Sequence, residues 1–218
     1  MKKKVEPRIY RSTLRQESAL QTRHVILEAA ARLLVEDGYG AMTMQAVAAA
    51  AGVALDTVYA AVGRKPVLVR LLIETAISGS DEATPAPERQ YVREIQAAPT
   101  ARQKLALYAN AVSIIHQRLA PIVRALRDAA AHDADLATLW KDIAERRARN
   151  MTMFAKDLAA TGELRAELTV ERTSDVLWSM NAPDFYMLLV DERGWTPEEF
   201  ATWLSDAWAR LLLVKETP

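Results

Sequence analysis

Few residues of this sequence have the types and spacing that catalysis or metal binding requires. The three histidines, His24, His116 and His132, lie far apart without a metal-ligand spacing, and the chain contains no cysteine. No glycine-rich phosphate loop or nucleophile motif is present, and acidic residues stand mostly among basic ones, as on solvated helix faces. The sequence therefore disfavours an enzyme and indicates neither a metal nor another cofactor.

Polar side chains in apolar stretches of the C-terminal part are candidates for binding a small molecule, because an unpaired polar group is costly there. Aromatic residues supply apolar surface beside them, as in ordinary ligand pockets. The predicted ligand-binding residues are His116, Trp140, Asn150, Phe154, Asn181 and Tyr186. The alternative stays open that these residues belong to the core and that backbone groups or a dimer partner satisfy their polar atoms.

Charge is distributed unevenly along the chain, although the formal net charge is zero. Residues 1–78 carry 11 basic and 7 acidic side chains, whereas the remainder has a net charge of −4. A basic N-terminal segment followed by an acidic remainder is expected of a protein that contacts phosphate groups with one end only. Residues 1–17 are predicted to be a flexible basic arm, with a solubilising tail as the alternative reading.

Composition and periodicity point to an all-α protein of nine or ten helices. Alanine and leucine are abundant, the seven glycines are scattered, and no useful stretch alternates with period two. The basic start leads into no apolar signal region, and no run approaches the roughly 18 apolar residues of a membrane span. We therefore expect a cytoplasmic protein.

The helices are predicted from caps and apolar spacing. Two domains are expected, residues 18–78 and residues 79–218, with the polar segment 79–88 as the linker or a loop between helices. In the N-terminal domain, one helix is expected from about Ser18 to Gly38, a second from Thr43 to Gly52, a third that ends at about Val62, and a fourth that begins at Pro66. In the C-terminal domain, one helix begins at Thr100 and the next at Pro121. The last three are expected from Asp133 to Gly162, from Thr169 to Val190 with a disturbance at Pro183, and from Pro197 to Val214.

Residues 43 to 62 meet the steric requirements of a helix-turn-helix motif. The crossing of its helices needs a small inward residue, which Ala48 supplies, and a glycine in the turn, which is Gly52. Val47 and Val58 fill the shared core. From this pattern alone, an alanine-rich helical hairpin without a nucleic-acid role is the alternative.

The N-terminal segment, residues 20 to 78, resembles the DNA-binding domain of the TetR (tetracycline repressor) family. The resemblance is carried by alanines and leucines before a glycine, the capping Thr43, the AGV triplet, the pair Thr57 and Tyr59, and a lysine before the apolar fourth helix. It implies a transcriptional regulator with a three-helix DNA-binding domain and a larger helical domain for ligand binding and dimerisation. It further implies a homodimer that binds a palindromic operator and is released by a small molecule.

The resemblance also assigns roles in DNA binding. Thr43, Tyr59 and Lys65 are expected to contact phosphates, which positions the protein without reading sequence. Asp56 could accept from a cytosine amino group, and Thr57 or Leu55 could touch a thymine methyl group. A carboxylate favoured near a helix N-terminus is the plainer explanation of Asp56. The complete predicted set is Thr43, Gln45, Leu55, Asp56, Thr57, Tyr59, Arg64 and Lys65.

This sequence departs from the family pattern at several positions. Ala54 stands where a capping serine is usual, and Ala60, Ala61 and Val62 replace an aromatic or histidine cluster that helps to grip phosphate. Arg64 and the basic arm are expected to compensate. A helical scaffold that kept the fold and lost DNA affinity is therefore the second alternative to a regulator.

The final helix is signalled by Thr196 as a cap and by Pro197 at the first position. By analogy with the family, and because a wide apolar stripe surrounds Trp203 and Trp208, the last two helices are expected to form the dimer interface.

Overall fold

The computed structural model describes residues 8–80, 85–130 and 133–214. These residues are helical apart from short connections and a single pair of bridged residues, Leu164 and Leu213, which confirms the all-α class. The chain forms two compact units, which meet in the sequence between Ile73 and Glu74. This division falls inside a helix, whereas the sequence analysis put the boundary after that helix.

The N-terminal unit is built from four helices, of which the last continues into the second unit. They are α1 (Arg8–Ala41), α2 (Met44–Ala51), α3 (Leu55–Val62) and α4 (Lys65–Ser78). Within α1 the helix is interrupted at Gly38, which has a φ of 82° and a ψ of 171°. A positive φ is readily available to glycine, and the predicted break at this residue is therefore confirmed.

Helix α1 begins earlier than the sequence analysis expected. The predicted flexible arm of residues 1–17 is helical from Arg8 onward, and residues 1–7 lie outside the described residues. Leu14, Arg15 and Glu17 are good helix formers, so they extend a helix that is already nucleated by the buried residues further along.

The core of the N-terminal unit is small and apolar. Ile26, Ala30 and Leu34 of α1 are fully buried, as are Val47 of α2 and Val58 of α3. The spacing of four residues in α1 places its three side chains on one inward stripe. Burial of this stripe holds α2 and α3 against α1 and leaves their other faces to solvent.

The described part of the C-terminal unit contains six further helices, of which α6 is the longest. They are α5 (Gln90–Ala97), α6 (Ala101–Ala130), α7 (Ala134–Ala159), α8 (Val170–Met180), α9 (Pro183–Tyr186) and α10 (Pro197–Leu212), with a 3-10 turn at Ala86–Glu88 and a π-helical turn at Met187–Glu192. Helix α6 packs against α5, α7, α9 and α10, and α7 packs against α8.

The predicted new helix at Pro121 is wrong, because α6 continues through this residue. Proline removes one backbone N–H, so the carbonyl of Gln117 lacks its helical partner, and an interior proline costs about 3 kcal/mol. Ala120, Ile122 and Val123 are buried beside it. Packing on both sides therefore keeps α6 continuous where the local signal favours a restart.

Helix α10 starts as predicted and buries most of its apolar stripe within its own chain. Thr196 and Glu199 form a reciprocal capping box, with Thr196 Oγ1 accepting from the Glu199 N–H at 3.1 Å. Phe200, Leu204 and Trp208 have no exposed surface. The sequence analysis takes the wide apolar stripe as a sign of a dimer interface. For Trp208 this inference is wrong, because packing within the chain already buries the side chain.

Candidate functional sites

The turn between α2 and α3 is closed by capping interactions. Thr43 Oγ1 accepts the N–H of Ala46 at 3.1 Å, which caps α2. Gly52 ends the helix in the left-handed conformation, with a φ of 66° and a ψ of 30°, and its N–H reaches the carbonyls of Ala48 and Ala49. This left-handed residue after α2 is what redirects the chain into α3.

Two predicted DNA-contacting residues lie at the exposed beginning of α2. Thr43 and Gln45 are both exposed. The hydroxyl oxygen of Thr43 accepts the cap hydrogen bond, and a hydroxyl that accepts in this way can also donate its own hydrogen to a phosphate. Backbone N–H groups of a helix N-terminus favour an anion at the same place.

Helix α3 has one buried and one exposed face. Val58 and Val62 point into the core, whereas Asp56 and Ala60 are exposed, and Leu55 and Thr57 are half-buried. Tyr59 keeps 43% of its surface exposed. The predicted reading residues are therefore accessible in the single chain, on a helix of suitable size for a major groove.

The start of α3 reflects the departure noted at Ala54. This residue is the N-cap, with extended backbone, and it makes no side-chain hydrogen bond to the helix. Asp56 lies in the first turn, where a carboxylate interacts favourably with the positive end of the helix.

Helix α4 begins at Lys65, one residue before the predicted start at Pro66, and Lys65 is tied to Tyr39. Its Nζ donates to the Tyr39 carbonyl oxygen at 2.5 Å and lies 3.8 Å from the centre of the Tyr39 ring. These contacts join α4 to the segment that follows the Gly38 interruption. An ammonium group has three donors, so a phosphate contact is compatible with this arrangement. Arg64, the preceding residue, is exposed.

The C-terminal unit contains a buried cluster of polar side chains from α6, α7 and the end of α8. Asn181 Nδ2 donates to the Tyr108 hydroxyl oxygen, and both groups contact the sulfur of Met151 at 3.5 Å. The Nε2 atom of His116 lies 3.1 Å from the Asn181 carbonyl oxygen. Tyr108, His116 and Asn181 are all buried.

Aromatic rings surround this cluster. The His116 ring lies 5.8 Å from that of Tyr186, which in turn makes an edge contact with Phe200 at 5.1 Å. Tyr108 makes an edge contact with Phe154 at 4.9 Å and stacks on Trp208 at 5.6 Å. The polar groups are therefore enclosed by apolar surface.

Burial changes the protonation of the cluster. Desolvation lowers the pKa of His116 to about 4, so its imidazole is neutral at pH 7. Desolvation also raises the pKa of the Tyr108 hydroxyl well above its usual value, so this group stays a phenol. The pKa of Arg147 is lowered by desolvation as well. Its guanidinium lies 4.6 Å from the centre of the Trp178 ring.

The structure brings together part of the predicted ligand set. His116, Asn181 and Tyr186 are joined by direct contacts, and Phe154 joins them through Tyr108. Trp140 and Asn150 are half-buried on α7, and in the described part of the chain neither makes a hydrogen bond or ring contact with this cluster.

Sequence analysis missed four members of this region. They are Tyr108, Arg147, Met151 and Trp178. A usable signal was present on α7, because Arg147, Met151 and Phe154 follow one another at intervals of four and three residues and so share one helix face.

No three His, Cys, Asp or Glu side chains of the described residues are grouped so that they could hold a metal ion.

Within residues 8–80, 85–130 and 133–214, no single helix has the length and apolarity that a membrane crossing requires, and only α2 and α3 taken together pass that test, with a bend of 104° between them.

The capped, crossed pair α2 and α3, with an exposed outer face on α3, defines a helix-turn-helix module. Residues 26–63 match the family described as bacterial regulatory proteins, tetR family. Residues 26–63 thus form a helix-turn-helix module of the kind found at the N-terminus of tetR-family regulators. A search of curated proteins finds no match.

Solved structures of similar fold cover nearly the whole chain. NalD, the secondary repressor of the MexAB-OprM multidrug efflux pump in Pseudomonas aeruginosa, is 21% identical with a TM-score of 0.68, and the alignment covers 92% of this chain and 100% of NalD. SmeT in complex with triclosan is 16% identical with a TM-score of 0.69, covering 91% and 95%. A Saccharomonospora viridis protein in complex with choline is 16% identical with a TM-score of 0.64, covering 89% and 99%. At these identities the likeness establishes the fold.

Proposed function

We propose that the protein is a homodimeric repressor that binds a palindromic operator through α3 and is released by a small molecule bound in its C-terminal unit. The observation that carries the proposal is the two-faced character of α3. Val58 and Val62 fix the helix to the core, which leaves Asp56, Thr57 and Tyr59 on the accessible side. A helix presented in this way can enter a major groove while its inner side chains hold its orientation.

The phosphate contacts in this proposal come from the ends of three helices. Thr43 at the start of α2, Tyr59 on α3 and Lys65 at the start of α4 position the protein on the duplex. Gln45 and Arg64 are exposed beside them and extend the same contacts. Leu55, Asp56 and Thr57 read base edges, with Asp56 accepting from cytosine and the other two touching thymine methyl groups.

The buried cluster of Tyr108, His116 and Asn181 is the proposed effector site. Support comes from its enclosed polar groups and aromatic surroundings, which suit a small organic ligand. Similar proteins have been solved with choline and with triclosan, so this fold accommodates small molecules of different chemistry.

A route from this site toward α4 is available along α7. Arg146 of α7 forms an ion pair with Glu74 of α4, and Arg118 Nε of α6 donates to the Ala76 carbonyl at 2.9 Å. Helix α4 also carries Lys65. A ligand that favours a different position of α7 would therefore bias α4, which couples the two binding events through a shared helix.

Dimerisation is assigned to the last two helical segments, through residues other than Trp208. Leu188 in the π-helical turn and Leu211 on α10 are exposed in the single chain. An isologous contact through such residues would pair two α3 helices in the two-fold arrangement that a palindromic operator requires. We propose no catalytic activity for the protein. We propose a cytoplasmic location, where the protein has access to DNA.

Selection of bound sequences from a random duplex pool tests the proposal. We expect an inverted-repeat consensus, with half-sites spaced by about one helical turn. Light scattering should give the mass of a dimer. A Thr57→Ala and Tyr59→Ala double variant should lose the enrichment, whereas the control Thr138→Ala, an exposed position on α7, should retain it. No enrichment with the unmodified protein would contradict the proposal and favour a scaffold that lacks DNA binding.

A further inference from the structure

Three polar atoms near the proposed effector site are buried without a hydrogen-bond partner among the described residues. They are His116 Nδ1, Arg147 Nε and Trp208 Nε1, and the Trp208 ring stacks on Tyr108. Buried polar groups in folded proteins are nearly always paired, so each unpaired atom calls for an explanation. His116 Nδ1 and Arg147 Nε differ in chemistry, and this difference specifies what could pair with them.

His116 offers an acceptor. Its Nε2 atom faces the Asn181 carbonyl oxygen, which can only accept, so Nε2 carries the ring hydrogen. The ring is neutral at pH 7 because its pKa is about 4. Nδ1 is therefore unprotonated, and a ligand that pairs with it must donate a hydrogen. His116 is only 4% exposed, so bulk water does not readily take this role.

Arg147 offers a positive charge that no carboxylate of the described residues neutralises by an ion pair. Its neighbours on α7 are engaged elsewhere, since Arg146 pairs with Glu74 and Glu145 lies 4.0 Å from both Lys141 and Arg149. The carboxylate of Asp184 also acts electrostatically on Arg147, but it forms an ion pair with Arg127, with 2.5 Å between Asp184 Oδ1 and Arg127 Nη2. A half-buried guanidinium in this state favours an anion.

The two groups belong to one region of the C-terminal unit. Arg147 lies one helical turn before Met151, whose sulfur contacts Tyr108 and Asn181 at 3.5 Å. The positive charge of Arg147 contributes to lowering the pKa of His116, which agrees with this proximity. The Tyr108 hydroxyl donates only to the sulfur, a weak acceptor, and could turn to a stronger one.

The outer side of this region is aromatic and accessible. Trp178 is 37% exposed, and the guanidinium of Arg147 lies over its ring. Met151, whose sulfur contacts Tyr108 and Asn181, is unbranched and can adjust to an incoming molecule. Phe154 and Tyr186 supply further ring surface around the polar atoms.

We infer that the effector is an aromatic carboxylate that also carries a hydroxyl group. Its carboxylate pairs with Arg147 and accepts from the Tyr108 hydroxyl, while its own hydroxyl donates to His116 Nδ1. The ring packs among the aromatic side chains of the site. This inference rests on the proposed function, in which the C-terminal unit binds a small molecule.

Calorimetric titration with matched probes tests the ligand class. The probes are 4-hydroxybenzoate, its neutral amide 4-hydroxybenzamide, the cationic 4-hydroxybenzylamine, and benzoate, which lacks the hydroxyl. We expect 4-hydroxybenzoate to bind at least about tenfold more tightly than each of the others, because each lacks one charge-assisted or buried hydrogen bond.

Variants separate the two contacts. Arg147→Gln should abolish the preference for the carboxylate over the amide and keep the preference for the hydroxyl. The matched control Arg149→Gln, an exposed arginine on the same helix, should bind like the unmodified protein. The thermal unfolding midpoint without ligand checks that each variant folds.

The inference is overturned if none of the anionic probes binds, if the amide or amine binds as tightly as the acid, or if Arg147→Gln retains the preference for the acid. Binding of the selected operator is measured on the same samples. A protein that binds its operator and ignores these acids contradicts the ligand class alone, whereas failure to bind any duplex contradicts the proposed function.

Discussion

The two units of this chain place their polar groups in opposite ways. In the described residues, every buried polar or charged side chain belongs to the C-terminal unit, and these side chains are Lys104, Ser113, His116, Thr173, Ser174 and Asn181. The core of the N-terminal unit consists of alanine, valine, leucine, isoleucine and methionine. Its predicted DNA-contacting residues lie at the surface, where water can pair with their polar groups.

Part of the polar interior of the C-terminal unit is purely structural. Lys104 Nζ donates to the carbonyls of Ile95 and Gln96 at 2.8 and 3.2 Å and pairs with Asp157 at 2.9 Å. Ser113 donates to the Pro197 carbonyl at 2.7 Å. Lys104 and Ser113 are satisfied, whereas His116 and Thr173 each retain an unpaired atom, as does Arg23 in the N-terminal unit. The comparison teaches that neither burial nor an unpaired atom alone marks a ligand site, and that unpaired atoms grouped among aromatic rings are the more informative observation.

The largest expected effect concerns the buried His116. Its folded pKa of about 4 lies below the ordinary value of 6.5, so the unfolded chain binds an extra proton between these two pH values. The stability that the neutral ring contributes is therefore present above pH 6.5 and is lost as the pH falls toward 4, by on the order of 3 kcal/mol.

Urea unfolding followed by tryptophan fluorescence measures this loss, since all five tryptophans lie in the C-terminal unit. His116→Gln, which can still donate to the Asn181 carbonyl, should show a smaller decrease between pH 7 and pH 4.5 than the unmodified protein. If the free energy of unfolding decreased equally in the two proteins, groups other than His116 would carry the pH dependence. The buried polar group of the C-terminal unit would then contribute less to the difference between the units.

A smaller effect is expected for the half-buried cation Lys65 in the N-terminal unit. Lys65→Ala should weaken binding to every DNA sequence about fivefold, because a phosphate contact carries no sequence information. The slope of log affinity against log salt should fall by about 1 for each subunit. Fluorescence anisotropy with operator and unrelated duplexes measures both, and Lys156→Ala on α7 is the control. An unchanged salt slope would show that Lys65 serves only its contacts with Tyr39.

The smallest expected effect is a gain of stability at the start of α3. Ala54 has the extended backbone of an N-cap and lacks a side chain that can accept a hydrogen bond. Ala54→Ser should stabilise the helix by about 0.5 kcal/mol, which roughly halves the hydrogen-exchange rates of its amides. The control Ala60→Ser on the exposed face should show no such protection. Faster exchange in Ala54→Ser would argue against this cap geometry.

The sequence was most informative in the N-terminal unit, where local signals decide the structure. Thr43 and Gly52 are recognisable as the cap and the left-handed turn, and the spacing of Val47 and Val58 gives the buried faces. These features depend on neighbours within a few residues. The helix start at Arg8 was missed because helix extension needs only residues that do not oppose it, and such residues give no start signal.

The sequence was less informative where contacts between distant segments determine the structure. Pro121 carries a strong local signal for a helix start, and the packing of α6 overrides it. The ligand set was predicted in part because polar residues in apolar stretches stand out, as His116 and Asn181 do. Tyr108 and Arg147 do not stand out, since their roles arise from contacts with residues between 31 and 100 positions away.

Helix α4 runs across the division between the two units, with Lys65 near one end and Glu74 in the second unit. A straight α-helix advances by 1.5 Å and turns by about 100° with each residue. Inserting or deleting one residue between these two positions would therefore turn every later side chain of α4 away from its present direction. Such a change would separate Glu74 from Arg146, its ion-pair partner on α7.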